Sequence, residues 1–204
     1  MSKTSPASKE PLVLGIQGGR GSFNEEAARQ RMKRTPDREF KLTYLHTTEN
    51  VLKALHDGSI DRGQFAIRNS LGGVVEETVE ASKNYAYDKV DEFAIKITHA
   101  LMISPDSELD DIDTIMAHPQ VLSQCKHTLQ RKYSHLKLVS GEGDLIDPAK
   151  VAEMLGQGKL EKNIAALGSK GLAEIYGLKI AANNLQDSGS NFTTFVWVQR
   201  PKQG

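Results

Sequence analysis

Four short segments carry residue types able to bind a small anion or pass it a proton. The first is Gln17-Gly18-Gly19-Arg20-Gly21-Ser22-Phe23-Asn24. Its glycines lie between an apolar run and a helix-forming stretch. Backbone N–H groups there can approach an anion, and the helix N-terminus adds partial positive charge. The pattern is neither GxGxxG nor a P-loop, which would need a lysine, and a tight strand–helix turn accounts for the same glycines. The second, Ile67-Arg68-Asn69-Ser70-Leu71-Gly72-Gly73, repeats the layout and offers Asn69 and Ser70 as donors to a carboxylate; an N-cap and turn is the plain alternative. The third, Ala117-His118-Pro119-Gln120, puts proline at a first helical position, where His118 can cap, pack or bind. In the fourth, Gln186 to Phe195, a polar loop enters a strand that starts with the hydroxyls of Thr193 and Thr194. Threonine is also simply a good strand former.

Other chemistry is poorly served. No histidine pair has metal-ligand spacing, so no metal site is expected. His99 sits in an apolar strand pattern and reads as a hydrogen-bonded interior histidine. Cys125 lies on an apolar helix face and reads as a small buried hydrophobe.

These segments need elements to hold them. Strands are expected at Leu12–Ile16, Lys41–Leu45, Gln64–Ile67, Phe93–Ile103, Ile112–Ala117, Leu136–Val139, Asn163–Leu167 and Thr193–Gln199. Helices should start after an Asn24 cap, after Thr47 or Thr48, and from Val74. One more should carry Val121 through Tyr133, and two others Val151–Leu155 and Leu172–Tyr176. Apolar residues at i, i+1 and i+4 put one face of four helices on a sheet. Strand–helix alternation implies an α/β fold with largely parallel sheets, whose ligands sit at strand carboxyl ends.

The chain has 204 residues, about one and a half domains at ~150 residues each. It is 38% hydrophobic and 25% charged, which excludes collagen-like, disordered and membrane classes. Lys+Arg and Asp+Glu both number 26, so there is no global basic field for nucleic acid, and an acidic ligand must be held by local groups. One cysteine excludes an internal disulfide and fits a reducing compartment. A polar tail at 1–11 is expected to be disordered. Neither a signal peptide nor a membrane span is read, and a cytoplasmic location follows.

Taken in order, the segments resemble the prephenate dehydratase family, from about Leu12 to Gln199. The family's Pro-Ile-Glu-Asn-Ser-x-x-Gly motif resembles Ala66 to Gly73, its Ser-His-Pro-Gln-x-Leu-x-Gln-Cys motif resembles Ala117 to Cys125, and its Asn-x-Thr-Arg-Phe motif resembles Asn191 to Phe195. Gln17 to Ala28 is similar to the first family motif. Ala165 to Ser169, Ala173 to Leu178 and Gln186-Asp187 are similar to the penultimate block.

The resemblance implies two α/β lobes, like a type II periplasmic binding protein, with the active site in the cleft between them. Lobe 1 would be 12–97 plus 186–201, and lobe 2 would be 98–185. It implies loss of water and CO2 from prephenate, a small dianion, without metal or cofactor. Thr193 would act as the catalytic hydroxyl. Substrate would meet Gln17, Gly21, Ser22, Phe23, Arg68, Asn69, Ser70, His118, Pro119, Gln120, Ser169, Asn191, Phe192 and Thr194. Helix N-termini after Ser22, Ser70 and Pro119 would supply N–H groups, and a homodimer or homotetramer is the family expectation. Three departures stand out. The family's motif glutamate is Arg68, its motif arginine is Thr194, and the chain ends at Gly204, short of the ACT domain that senses phenylalanine. The expectation is a catalytic domain alone, with Arg68 standing in for the missing arginine. The two substitutions also leave open a non-aromatising prephenate decarboxylase of a specialised pathway, and a catalytically silent ligand-binding relative.

Overall fold

The computed structural model describes residues 10–202; apart from Glu10 and Pro11, the tail expected at 1–11 lies outside the described residues. The first part of the chain forms β1 (Leu12–Gln17), α1 (Phe23–Met32), β2 (Phe40–His46), α2 (Thr48–Asp57), β3 (Arg62–Asn69), β4 (Gly73–Val74), α3 (Glu76–Asn84) and β5 (Asp88–Lys96). It then builds β6 (Ala100–Ile103), β7 (Thr114–Met116), α4 (Pro119–Gln124), α5 (Lys126–Lys132), β8 (Lys137–Val139), α6 (Pro148–Gly156), β9 (Ile164–Gly168), α7 (Gly171–Tyr176) and β10 (Lys179–Ala182), and finishes with β11 (Phe192–Gln199).

Two sheets result. The first has the order β2-β1-β3-β11-β5, with β4 hung on β3; the second runs β10-β6-β9-β7-β8. The two-lobed α/β architecture implied by the resemblance is present. The sheets are mixed, however: β11 is antiparallel to both β3 and β5, and β6 is antiparallel to β9 and β10.

Strand alternation sorts the first core into two layers. Phe195 and Trp197 of β11 join Leu14, Ile16, Ala27 and Ala28, against α1. Val196 and Val198 join Val51, Leu52, Leu55 and Phe65, against α2. In the second sheet, Leu101 and Ile103 pack with Ile115, Cys125 and Leu129, while Ala100 and Met102 pack with Val151, Leu155 and Leu172.

Four expectations are corrected. The strand expected over Phe93–Ile103 is two strands in different sheets, parted at 97–99. There the backbone is stitched to the returning chain: Ile97 N donates to Asn191 O, His99 N to Gln186 Oε1, and Leu185 N to His99 O. The helix expected through Tyr133 breaks at Cys125, because the Asp187 carboxylate accepts from His127 N and Thr128 N and starts a new helix. Ser22 rather than Asn24 caps α1, its extended backbone letting Oγ accept from Glu25 N. The helix expected from Val74 begins at Glu76, as α3, because Gly73, at φ 79°, first folds β4 back onto Arg68 and Asn69, so Ser70 heads a hairpin rather than a helix. Strand β10 was not expected at all.

Candidate active site

Between the sheets lies a cleft of about 400 Å³. Gly21, Ser22, Phe23, Asn69, His118, Gln120, Ser169 and Thr193 line it, together with Arg20, His99, Gln124 and Asp147. Gln17, Arg68, Ser70, Pro119, Asn191, Phe192 and Thr194 do not.

Thr193 is the second residue of β11, directly opposite Asn69 at the end of β3. The Asn69 Oδ1 accepts from Leu71 N at 2.9 Å and Gly72 N at 2.8 Å, which fixes the amide's orientation. Its Nδ2 therefore faces away from that turn and donates to Thr193 Oγ1 and Asn191 Oδ1, both at 2.9 Å. Thr193 Oγ1 makes no other hydrogen bond among the described residues. With a lone pair engaged by Asn69, its own O–H is left to point into the cleft.

The pairing continues across the molecule. Asn191 Nδ2 donates to Gln124 Oε1 at 3.2 Å, and that oxygen lies 2.7 Å from His99 Nε2. His99 is buried, and burial lowers its pKa against a smaller opposing effect of the Gln124 hydrogen bond, so the ring is neutral. Its Nδ1 has no hydrogen-bond partner among the described residues.

The glycine loop is held from behind. Glu25 is 4% exposed and accepts from Gly21 N at 2.6 Å, from Arg29 and from Tyr44 Oη. Burial alone would raise its pKa, but these hydrogen bonds outweigh burial and hold it below 4.5. Gly21 has φ +81° and lies against Leu172 of the other lobe, so a side chain there would be both strained and obstructed. His118 caps α4, its Nδ1 accepting from Gln120 N at 3.1 Å, so the neutral ring carries its proton on Nε2. Ser169 Oγ accepts from Gly171 N at the start of α7.

The candidates outside the cleft lining have other work. Gln17 bridges Ala66 N and Glu77. Ser70 clamps the returning chain, donating to Ser190 O and accepting from Phe192 N. Asn191 is fully buried in the amide chain, Phe192 is exposed, and Pro119 begins α4. Arg68 and Thr194 are register partners on adjacent strands, so the two departures from the family pattern sit across from each other. Both alternate with the cleft-lining pair Asn69 and Thr193. The strand pleat turns them to the opposite face, and Arg68 is exposed there.

The guanidinium that lines the cleft belongs to Arg20, which has no hydrogen bond or ion pair among the described residues. Sequence reasoning passed over it because the flanking glycines explained the segment. It also passed over Asp147-Pro148, which caps α6 through Ala149 N and has the same cap-then-proline signature as His118-Pro119.

A family model described as prephenate dehydratase matches residues 14–203. The chain belongs to the prephenate dehydratase family. It is 30% identical over 190 residues to arogenate dehydratase/prephenate dehydratase 2 of Arabidopsis thaliana, a match covering 92% of this chain and 46% of that protein. The chain thus spans about half the length of the curated relatives it matches. Among solved structures, a prephenate dehydratase from Arthrobacter aurescens in complex with L-Phe superposes with a TM-score of 0.78 at 24% identity, over 94% of this chain and 61% of that one. GqqA, described as a novel type of quorum-quenching acylase, superposes with a TM-score of 0.76 at 26% identity, over 94% and 65%. No helix among the described residues is long and apolar enough to cross a membrane.

Proposed function

We propose that this prephenate dehydratase family member converts prephenate to phenylpyruvate, carbon dioxide and water. The observation carrying the reading is the Thr193 hydroxyl, oriented by Asn69 and free to donate into the cleft. As the C1–carboxylate bond breaks, its electron pair enters the ring and expels the 4-hydroxyl. That oxygen takes one proton to leave as water, delivered along the Thr193 hydrogen bond and resupplied by solvent. Aromatisation drives the step. Arg20 anchors the pyruvyl carboxylate, with the His118 Nε2–H as a second donor. Arg68 and Thr194 lie outside the cleft lining, so they give no separate support to decarboxylation without aromatisation. We place the enzyme in phenylalanine biosynthesis in a reducing cytoplasm, as a homodimer or homotetramer. Its free, buried Cys125 supports the compartment, and sedimentation would read the assembly.

The test is incubation with prephenate, followed by the ultraviolet spectrum in alkali. Phenylpyruvate is the expected product. A non-aromatic keto acid, or prephenate bound but unchanged, would overturn the reading.

A further inference from the structure

A second cavity, of about 430 Å³, opens at the opposite end of the first sheet. The cleft forms at the carboxyl ends of β1 and β3. This cavity forms where β1, β2 and β3 begin and β11 ends, beside the last turn of α1. Three arginines line it, Arg31, Arg38 and Arg62, against one carboxylate, Asp91.

The arginines are not equivalent. Arg31 is fully engaged: Nε pairs with Asp91, NH1 donates to Thr35 Oγ1 at 2.8 Å, and the guanidinium lies 5.4 Å from the Trp197 ring centroid. It is a wall of the cavity. Arg62 donates one N–H to the Asp61 carbonyl, while the Asp61 carboxylate is occupied by Val13 N. The Arg38 side chain has no hydrogen bond or ion pair among the described residues; its backbone N–H donates to Thr35 O. Burial lowers the pKa of Arg62, the attraction of Asp61 opposes this, and repulsion from Arg38 adds to the lowering. Two guanidiniums thus face one half-buried space, within electrostatic reach of each other. A chain with 26 basic and 26 acidic residues has no general excess of cations to explain this. Apart from Thr35, whose hydroxyl is held by Arg31, the rest of the lining is apolar, and Val90 there is 45% exposed.

We propose that Arg38 and Arg62 form a binding site for the oxyanion head, phosphate or carboxylate, of a small ligand whose apolar or aromatic body rests on Phe40 and Val90. The planar fork of a guanidinium matches either head, and a pair of forks around one anion removes their mutual repulsion. The site is separate from the catalytic cleft, with which it shares no lining residue.

Trp197 is the chain's one tryptophan and lines this cavity, so its fluorescence reports here and not in the cleft. The intact protein is titrated with phenyl phosphate, benzoate and inorganic phosphate, at constant ionic strength, to about 10 mM. A saturable change with phenyl phosphate or benzoate is expected. It should weaken by about 10–100-fold in Arg38→Gln and in Arg62→Gln, the loss of one charged hydrogen-bonded contact, and less in Arg38→Lys. Circular dichroism melts check that the variants are folded. No saturable change with any probe, or an unaltered response in both glutamine variants, would overturn the site. Inorganic phosphate binding as tightly as phenyl phosphate would overturn the role of the apolar wall.

Discussion

Replacing Asn69 by aspartate tests the orientation of the Thr193 hydroxyl with almost no change of shape. The carboxylate can still accept from Leu71 N and Gly72 N, so the turn survives. It cannot donate to Thr193 Oγ1. Thr193 would instead donate to the introduced carboxylate and turn its proton away from the cleft. A positioned proton donor contributes about 10²–10⁴-fold, so kcat should fall by about 10²–10³-fold. Asn191 Oδ1 and Phe192 O, which now receive the amide N–H groups, would face a carboxylate, at a cost of ~1–3 kcal/mol in stability. That corresponds to about 2–12 °C in Tm, which the melts read directly. Phenylpyruvate formation and thermal melts are measured for Asn69→Asp, Thr193→Val and the double variant. The double variant should lose no more activity than Thr193→Val alone, because both changes remove the same proton. Acidification should partly restore Asn69→Asp, since a protonated carboxyl can donate again. A near-normal kcat in Asn69→Asp, or additive losses in the double variant, would refute the argument.

The two arginines should separate in steady-state kinetics: Arg20→Leu raises KM by about 10–100-fold with kcat little changed, while Arg68→Leu leaves both constants near normal. Cys125, whose thiol burial and the nearby Asp187 push up to about 12, should resist iodoacetamide in the native protein at about pH 8 and react once urea unfolds it. His99 gives a stability signature. Its folded pKa lies below 6.5, so the unfolded chain takes up the proton first; stability is full above about 6.5 and declines as pH falls toward the folded pKa. Urea midpoints at about pH 7 and pH 5 should therefore differ less in His99→Gln than in the parent.

Much of the fold was legible because local signals agreed with tertiary demands. Leu12–Ile16 and, within Thr193–Gln199, Phe195–Val198 are unbroken by polar side chains because both lie in interior strands flanked by layers. Thr47 and Pro119 marked helix starts by their own chemistry. The break at 97–99 was invisible because it depends on Gln186 and Asn191, far away in the chain. Cys125 likewise interrupts a plausible helix for the sake of Asp187. The placement of Arg68 was readable and overlooked. If Asn69 faces the cleft, period-2 alternation turns position 68 away, and a pairing with Thr194 follows from the strand order rather than from chemistry. Gln17 and Asn191 were expected as ligand contacts from the family resemblance alone, which carries no information on burial. Their hydrogen bonds hold the strands that carry Thr193 and Asn69.

The position of β11 bears on how the chain acquires its structure. It is the last strand among the described residues, yet it sits inside the first sheet, between β3 and β5. Until residues 192–199 leave the ribosome, β5 has no partner and β3 exposes an unsatisfied edge, so the first lobe cannot complete itself as it is synthesised. The second sheet, drawn from one continuous stretch, has no such wait. Folding should therefore run against the usual order, the later lobe first and the earlier one closing around it, with the pairing of β11 to β3 as a slow, long-range step. Pairing and catalysis would then arrive together, because the register partner of Asn69 on this strand is Thr193.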